Sequence, residues 1–443
     1  MEKVFKRKLY QKMLEWKTQQ HGQTALLIEG ARRVGKSTLA QQFAESEYES
    51  NILIDFNIVP QDIMDLFNDL SNLDAIFVRL QQYAKKVLIP KQSVIVFDEV
   101  QHCPRARQAI KYLVQDGRYD YIETGSLISI KKNVKDITIP SEESRLTLYP
   151  MDYDEFRWAL GDNASSLLLR QFYEQKMPLG VAHRSTMRDL RLYMLVGGMP
   201  QSVNKYIETN NLQLVDSIKR DIIRLYADDF KKLDPSGRLS KMFLNIPAQL
   251  TSGYNRYIPK QVVGDVDGGK MIELLNDLED SKTVLFAHHA SDPNVGMSLS
   301  EDLSKFKIFT SDTGLFVTLA FWDKDYAENV IYDKLLSDKL QANLGYLYEN
   351  LVAQMLATSG NKLFYYTWAK DEKHNYEIDF LLSRGSKLVP IEVKSSGYAT
   401  HKSLDAFCEK YSSRIAQRYL LYTKDIQKQG EIVLLPVYLT PFL

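Results

Sequence analysis

Gly30-Ala31-Arg32-Arg33-Val34-Gly35-Lys36-Ser37 stands between the apolar run Ala25 to Glu29 and a helix-forming stretch that begins at Lys36 and passes through Thr38 to Ala44. The eight residues fit G-x-x-x-x-G-K-[ST], and the strand before and helix after supply the setting that pattern requires. Glycines at 30 and 35 let the backbone turn tightly enough for successive N–H groups and the helix N-terminus to face phosphate oxygens. Lys36 would neutralise the β/γ-phosphate oxygens and Ser37 would ligate Mg²⁺. The stretch therefore predicts a phosphate loop for ATP, with Gly30, Ala31, Arg32, Arg33, Val34, Gly35, Lys36, Ser37 and Thr38 as the cofactor-binding residues.

Further along, Val94-Ile95-Val96-Phe97-Asp98-Glu99 is an apolar run that ends in two carboxylates. Ligands of open α/β sheets bind at the C-terminal ends of such strands. Asp98 would hold the hydrated Mg²⁺, and Glu99 would orient and deprotonate the attacking water; the alternative for Glu99 is a solvated acid at a strand end. At the next strand end, Thr124-Gly125-Ser126 offers hydroxyls to the γ-phosphate, and Thr124 is the sensor candidate, with a turn-forming role as the alternative. Arg145 is an arginine-finger candidate acting in a neighbouring subunit of a homo-oligomer; an ordinary surface arginine is its other reading.

Around these motifs, apolar runs (Asn51 to Phe56, Ser93 to Phe97, Tyr119 to Thr124) alternate with helical patterns. One such pattern carries Ile63, Leu66, Leu70, Leu73, Phe77 and Leu80, a spacing that predicts a single amphipathic helix. The result is a doubly wound P-loop domain of the AAA type over residues 1–150. Residues 151–230 read as a helical lid or linker, broken at Gly197-Gly198-Met199-Pro200. Over residues 231–330, helical segments at Met242 to Leu250 and Lys270 to Asp280 precede β-rich runs at Val284 to His288 and Phe306 to Thr310, the order of a winged-helix-like unit. Residues 340–443 form a C-terminal α/β module. It has a long helix, Leu344 to Thr358, strands Leu363 to Thr367, Tyr376 to Leu382 and Leu388 to Val393, and a closing α/β segment. The fold class is thus α/β multidomain.

The 443 residues exceed what one hydrophobic core organises. Fifty-six Lys and Arg balance 56 Asp and Glu, which argues against unselective nucleic-acid binding. The two cysteines, Cys103 and Cys408, support neither a disulfide framework nor a metal cluster. No apolar run is long enough to span a membrane, and the charged N-terminus does not read as a secretion signal, so a cytoplasmic protein is expected.

A second constellation lies near the C-terminus. Tyr376-Glu377-Ile378-Asp379-Phe380 and Ile391-Glu392-Val393-Lys394 are joined through a turn-like stretch. A turn symmetric about Gly385 and Ser386 places Asp379 opposite Glu392 and Glu377 opposite Lys394, all on one face. Carboxylates facing each other at roughly 5 Å between Cβ atoms repel unless a cation separates them. Asp379 and Glu392, with Glu349 from the preceding helix, are the metal-ligand candidates, and Lys394 would orient a water or stabilise a charged transition state. The plain alternative is a Glu377–Lys394 pair on a solvated face.

With these residues in view, the chain resembles the prokaryotic AAA-type ATPases that carry a C-terminal domain of unknown function with a PD-(D/E)XK nuclease-like fold. The resemblance rests on the phosphate loop, Asp98-Glu99-Val100-Gln101, Arg145 with Leu148-Tyr149-Pro150 and Glu155-Phe156, and Val196-Gly197-Gly198-Met199-Pro200. It also rests on Lys307 to Thr310 with Asp312-Thr313-Gly314-Leu315, on Glu377-Ile378-Asp379-Phe380, and on Glu392-Val393-Lys394. It implies ATP binding with hydrolysis and a nuclease-type domain whose matching positions are Glu349, Asp379, Glu392 and Lys394; Ile378 replaces the proline that names the motif. DNA is the partner this implies. The other reading is an ATP-driven switch or scaffold whose C-terminal fold binds nucleic acid or protein without cutting. Residues 341–443 carry 12 Lys and Arg against 10 Asp and Glu, a net of only +2, which favours that reading.

Overall fold

Five parallel strands make the first sheet, whose inner strands are buried on both faces as a parallel sheet requires, while one edge strand is polar and only part-buried. They are β1 (Ala25–Glu29), β2 (Ser50–Asp55), β3 (Ser93–Asp98), β4 (Asp120–Gly125) and β5 (Glu143–Thr147), in the spatial order β2-β3-β4-β1-β5. All of β1 and β3 is buried. Burying each Leu, Ile or Val side chain contributes about 1.5–3 kcal/mol before chain entropy is counted. The computed structural model describes residues 4–20, 22–125, 140–323, 335–337, 345–395 and 401–443. The chain divides into two compact units, Met1–Tyr149 with Asp280–Lys282, and Pro150–Glu279 with Thr283–Leu443.

Within the first unit, strand order decides where chemistry can occur. The loop after β1 and the end of β3 are separated by β4, so Thr124 at the end of β4 lies between the phosphate loop and Asp98. The single helix expected over residues 63–80 is two. Helix Gln61–Asp65 runs into a 3₁₀ turn ending at Asn68, and a new helix starts at Leu73. Asn72 causes the break, because its side chain accepts the Ala75 N–H at 3.0 Å and caps the second helix. Sequence periodicity carried across because the apolar residues of both pieces face one core that includes Ile63, Phe67, Phe77 and Leu80.

The second unit contains helices from Tyr153–Ala159 to Leu212–Leu233 and an eight-stranded mixed sheet. Its strands are β6 (Val284–Ala290), β7 (Glu301–Thr310), β8 (Leu363–Ala369), β9 (Asn375–Arg384), β10 (Lys387–Val393), β11 (Arg418–Tyr422), β12 (Gln427–Gln429) and β13 (Ile432–Pro436). They are ordered β12-β13-β11-β10-β9-β8-β6-β7. The hairpin β6–β7, expected to be the wing of a separate module, continues the C-terminal sheet, since β6 pairs in parallel with β8 from Ala287↔Leu363 to His289↔Tyr365. Nothing local in the sequence encodes that pairing. Helix Gly345–Thr358 is buried nearly all round, which explains its apolar composition. Its two buried amides are satisfied: Asn350 accepts the Thr310 N–H at 2.8 Å, and Gln354 accepts the Thr313 N–H at 2.9 Å.

The glycine motif at 197–198 and the Asp312-Thr313-Gly314 motif meet in this unit. Asp312 caps helix Thr313–Ala320 through the Leu315 N–H at 2.8 Å and also accepts the Gly198 N–H. A Cβ at Gly198 would lie 2.0 Å from the Met151 carbonyl oxygen, and one at Gly314 would lie 2.5 Å from Gly197 Cα. These signature residues are packing devices: only glycine admits backbones so close.

Candidate functional site

The phosphate loop begins where β1 ends. Gly30 has φ +154° and Gly35 has φ +96°, and a Cβ at Gly30 would meet the Leu148 carbonyl oxygen at 2.3 Å, because Leu148 pairs its N–H with Glu29. Gly35 precedes helix Lys36–Glu47 with no side-chain cap, which leaves the first helical N–H groups available to an anion. Arg32, Arg33 and Thr38 are exposed, whereas Ala31, Val34 and Lys36 are buried. The Lys36 ammonium donates to the carbonyls of Gly30 (3.1 Å) and Ala31 (3.0 Å), within the loop. Burial lowers its pKa, and the neighbouring Glu99 and Asp98 oppose that shift.

Ser37, Asp98, Glu99 and Thr124 come together as the strand order requires. The Ser37 hydroxyl donates to Asp98 at 2.7 Å, and the Thr124 hydroxyl donates to the same oxygen. Thr124 also accepts the Glu99 N–H at 3.2 Å, so one hydroxyl fixes both acids. Burial raises the Asp98 pKa; the hydrogen bonds from Thr124 and Ser37 pull it down, and Glu99 adds to the rise. Glu99 itself has φ +53°, a left-handed conformation rare for a side chain of this size, and its carboxylate accepts from the Gln101 amide. A hydroxyl and a carboxylate held in contact are the oxygen donors that Mg²⁺ takes, and they fit that ion.

Arg145 is not brought to this cluster. It sits on β5 opposite Leu27, two residues short of the strand end, and its Nε donates to Glu143 at 2.7 Å. Its guanidinium is half-exposed and paired with Glu143, as an ordinary surface arginine would be. Sequence reasoning missed Arg7, which is buried and donates to Val34 O (2.8 Å) in the phosphate loop and to Tyr149 O (2.6 Å). It passed as one of several N-terminal charges, and nothing in its local pattern marked it. Ser126 lies outside the described residues.

In the second unit the hairpin register is as expected over its recorded length, from Lys387↔Arg384 to Ile391↔Phe380 about Gly385-Ser386. Beyond it, Asp379 accepts the Val393 N–H at 2.7 Å, beside Glu392. The Glu377–Lys394 pair of the alternative reading is not formed. β10 ends at Val393 and the Lys394 N–H turns to Leu421 O, so its ammonium binds Glu392 at 2.6 Å. Glu377 is engaged by Lys307 of β7, which also reaches Glu349 at 3.2 Å. Burial and then Glu349 raise the Asp379 pKa well above the usual carboxylate range, with Glu377 and Glu392 adding and Lys307 opposing. The Lys307 ammonium resists burial because Glu349, Glu377 and Asp379 hold its pKa well up.

The expected metal set is therefore differently employed. Among the described residues no group of three or more His, Cys, Asp or Glu is arranged to hold a metal ion. As they stand, Glu349, Asp379 and Glu392 do not fit one, because Lys307, the Val393 N–H and Lys394 each engage one oxygen of these carboxylates, and the two ammonium groups stand where a metal would sit. Ser396 and Gly397, read as part of a turn, and Leu344, read as the start of the long helix, lie outside the described residues.

Family models match three stretches: an AAA domain over residues 22–157, a domain of unknown function (DUF8612) over 187–326, and another (DUF4143) over 344–440. The chain thus carries an AAA-type P-loop domain. A search of curated proteins gave no match. Among solved structures, the Walker-type ATPase PABY2304 of Pyrococcus abyssi is similar at 15% identity and a TM-score of 0.43, covering 71% of this chain and 96% of its own. Cdc6p from Pyrobaculum aerophilum is similar at 12% identity and a TM-score of 0.24, covering 75% of this chain and 94% of its own. These are distant likenesses. Among the described residues no helix is long and apolar enough to cross a membrane.

Proposed function

We propose that the chain binds and hydrolyses Mg-ATP at Gly30–Thr38, and that its nucleotide state governs a nuclease-like C-terminal unit acting on DNA. The observation that carries the ATPase reading is the convergence of Ser37, Asp98 and Thr124 on one carboxylate oxygen beside a buried Lys36. Loop N–H groups and Lys36 receive the phosphates, and Lys36 exchanges its carbonyl partners for them. Ser37 and Asp98 would hold Mg²⁺, which when bound neutralises charge on the β- and γ-oxygens. Glu99 accepts a proton from water as the water oxygen bonds to the γ-phosphorus and the bond to the ADP oxygen breaks. Thr124 keeps Asp98 and Glu99 in register, and Arg145 serves a neighbouring copy in a homo-oligomer.

The division proposed is a P-loop domain (1–150), a helical linker (151–230), a winged-helix-like unit (231–330) whose hairpin extends the sheet of the following unit, and a nuclease-like unit (340–443), in a cytoplasmic setting. The boundaries at 330 and 340 lie outside the described residues. Support for the winged-helix reading comes from helices Arg238–Leu244 and Gly268–Asp280 preceding the β6–β7 hairpin, with the Tyr257 N–H donating to Phe306 O of β7 at 2.7 Å.

A second reading, a switch or scaffold that binds without cutting, is favoured by one observation: Glu349 and Glu377 are paired with Lys307, and Glu392 with Lys394. Supercoiled and linear DNA incubated with Mg²⁺ or Mn²⁺, with and without ATP, separates the two. Cleavage abolished by Asp379→Ala supports the nuclease, and its response to Lys36→Ala reports control by ATP. Intact DNA throughout, with ATP hydrolysis lost in Lys36→Ala, supports the switch.

A further inference from the structure

Between helices Ile246–Thr251 and Pro259–Val263 the chain is tied to strand β7 by Tyr257. That residue is 3% exposed; its N–H donates to Phe306 O at 2.7 Å, its hydroxyl donates to Met242 O at 2.8 Å, and its ring stacks on Phe306. Gly253, at φ +76°, turns the chain just before it. Two large side chains between these anchors stay in solvent: Tyr254 is 55% exposed, and Arg256 is exposed and makes no ion pair with any described residue. Both line a cavity of about 130 Å³, together with Gln249, Lys307, Glu349 and Glu377. At its buried end Lys307, only 5% exposed, pairs with one oxygen of Glu349 and one of Glu377. With Arg256 at the exposed end, two cations face two carboxylates. In the adjoining cluster Lys394 offsets Glu392, and Asp379 is held toward its neutral form, because burial and then Glu349 raise its pKa well above the usual carboxylate range. The charges balance, so the cavity attracts neither a free cation nor a free anion; what it offers is polarity in a fixed order.

We infer that this cavity receives an unpaired cytosine of a single DNA strand, with Tyr254 against the face of the base and Arg256 on its phosphate. The inference rests on the reading of the C-terminal unit as acting on DNA, and adds that it holds one strand by a base. Size selects a single ring: a cavity of about 150 Å³ takes benzene, and one of about 130 Å³ leaves no room for a fused purine. Donor pattern selects cytosine. Its exocyclic amine donates to a carboxylate, and Glu349 and Glu377 each keep a second oxygen for it, whereas thymine has no amine to give. The cytosine carbonyl and ring nitrogen accept from an ammonium, and Lys307 has a third N–H beyond the two its carboxylates take. An exposed tyrosine ring is the stacking surface that unpaired bases use, and a guanidinium without an ion pair is a phosphate partner. A site that meets one phosphate with one cation needs no basic surface, in keeping with the balanced charge of the chain. A duplex hides the base edge and is not taken up here.

Fluorescence anisotropy of labelled oligodeoxycytidylate, oligothymidylate and an abasic strand of equal length, each titrated with the full chain in EDTA, tests the pocket. The cytosine strand is expected to bind at least about tenfold more tightly than the other two. Arg256→Gln should weaken it about tenfold and reduce its salt dependence by about one phosphate contact. Tyr254→Ala should weaken it about tenfold and Tyr254→Phe should not, since stacking needs the ring and not the hydroxyl. Both side chains are exposed, so these variants keep the fold. Three strands bound alike, no strand bound, or an affinity that Arg256→Gln leaves unchanged overturns the pocket. Cleavage of duplex DNA in Mg²⁺ judges the nuclease reading separately: cleavage abolished by Asp379→Ala leaves that reading standing without the pocket, and neither strand binding nor cleavage overturns both.

Discussion

Replacing Thr124 by valine keeps the shape of the side chain and deletes the hydroxyl that joins the two acids of the ATP site. Two hydrogen bonds go with it, the one received from the Glu99 N–H at 3.2 Å and the one given to Asp98. An orphaned N–H costs about 1–3 kcal/mol, and a lost bond to a charged carboxylate about 1.5–3 kcal/mol. The terms share one network and do not add fully, so a net destabilisation of about 2–4 kcal/mol is expected. For a unit of this size that lowers Tm by roughly 5–15 °C. The Thr124 hydrogen bond also pulls down an Asp98 pKa that burial pushes up. Without it the carboxyl protonates at higher pH, so the acid limb of ATP hydrolysis moves upward and kcat falls about 10–100-fold. Thermal melting together with phosphate release across pH measures both effects, and Thr124→Ser should restore both. A valine variant that melts within about 1 °C of the natural protein with an unmoved acid limb refutes the reasoning.

Gly198→Ala drives a methyl into the Met151 carbonyl at 2.0 Å and is expected to cost about 3 kcal/mol or more, read as a lower denaturant midpoint; a loss under about 1 kcal/mol contradicts the packing assigned to it. Arg7→Ala removes two charged donors from carbonyls of the phosphate loop and Tyr149, with an expected loss of about 2–4 kcal/mol and about tenfold weaker ATP binding by calorimetry. Arg7→Lys should not recover it, because an ammonium lacks the planar fork that spans two acceptors. Asp379→Asn should raise the Tm of metal-free protein at pH 7. The native carboxyl has a raised pKa, so its ionised form is disfavoured in the fold above that pKa; the advantage of asparagine shrinks as pH falls through the native pKa and vanishes below the ordinary carboxylate value. A lower Tm for that variant at pH 7 contradicts the crowding of carboxylates.

What could be read from the chain depended on the sequence distance over which each feature is encoded. The phosphate loop and Asp98 were legible because each is a contiguous strand-and-turn pattern. The β9–β10 register followed from a two-residue turn, with Gly385 at φ +59°. Lys307 was not legible as a partner of Glu349 and Glu377, since 42 and 70 residues separate it from them; the local hint was a lone lysine among buried apolar residues. The same holds for the β6–β8 pairing and for Arg7, whose partners are set by the closed fold. The helix break at Asn72 was hidden because both pieces present apolar residues at a shared spacing.

The most direct measurement is Mg²⁺-dependent ATP binding and phosphate release by the natural protein, Lys36→Ala and Glu99→Gln. The natural protein is expected to bind and hydrolyse ATP, Lys36→Ala to lose binding, and Glu99→Gln to bind ATP but hydrolyse it at least about 100-fold more slowly. Natural protein that neither binds nor hydrolyses ATP, or a Lys36→Ala variant that hydrolyses it undiminished, would contradict the assignment of Gly30–Ser37, Asp98 and Glu99 as the ATPase site.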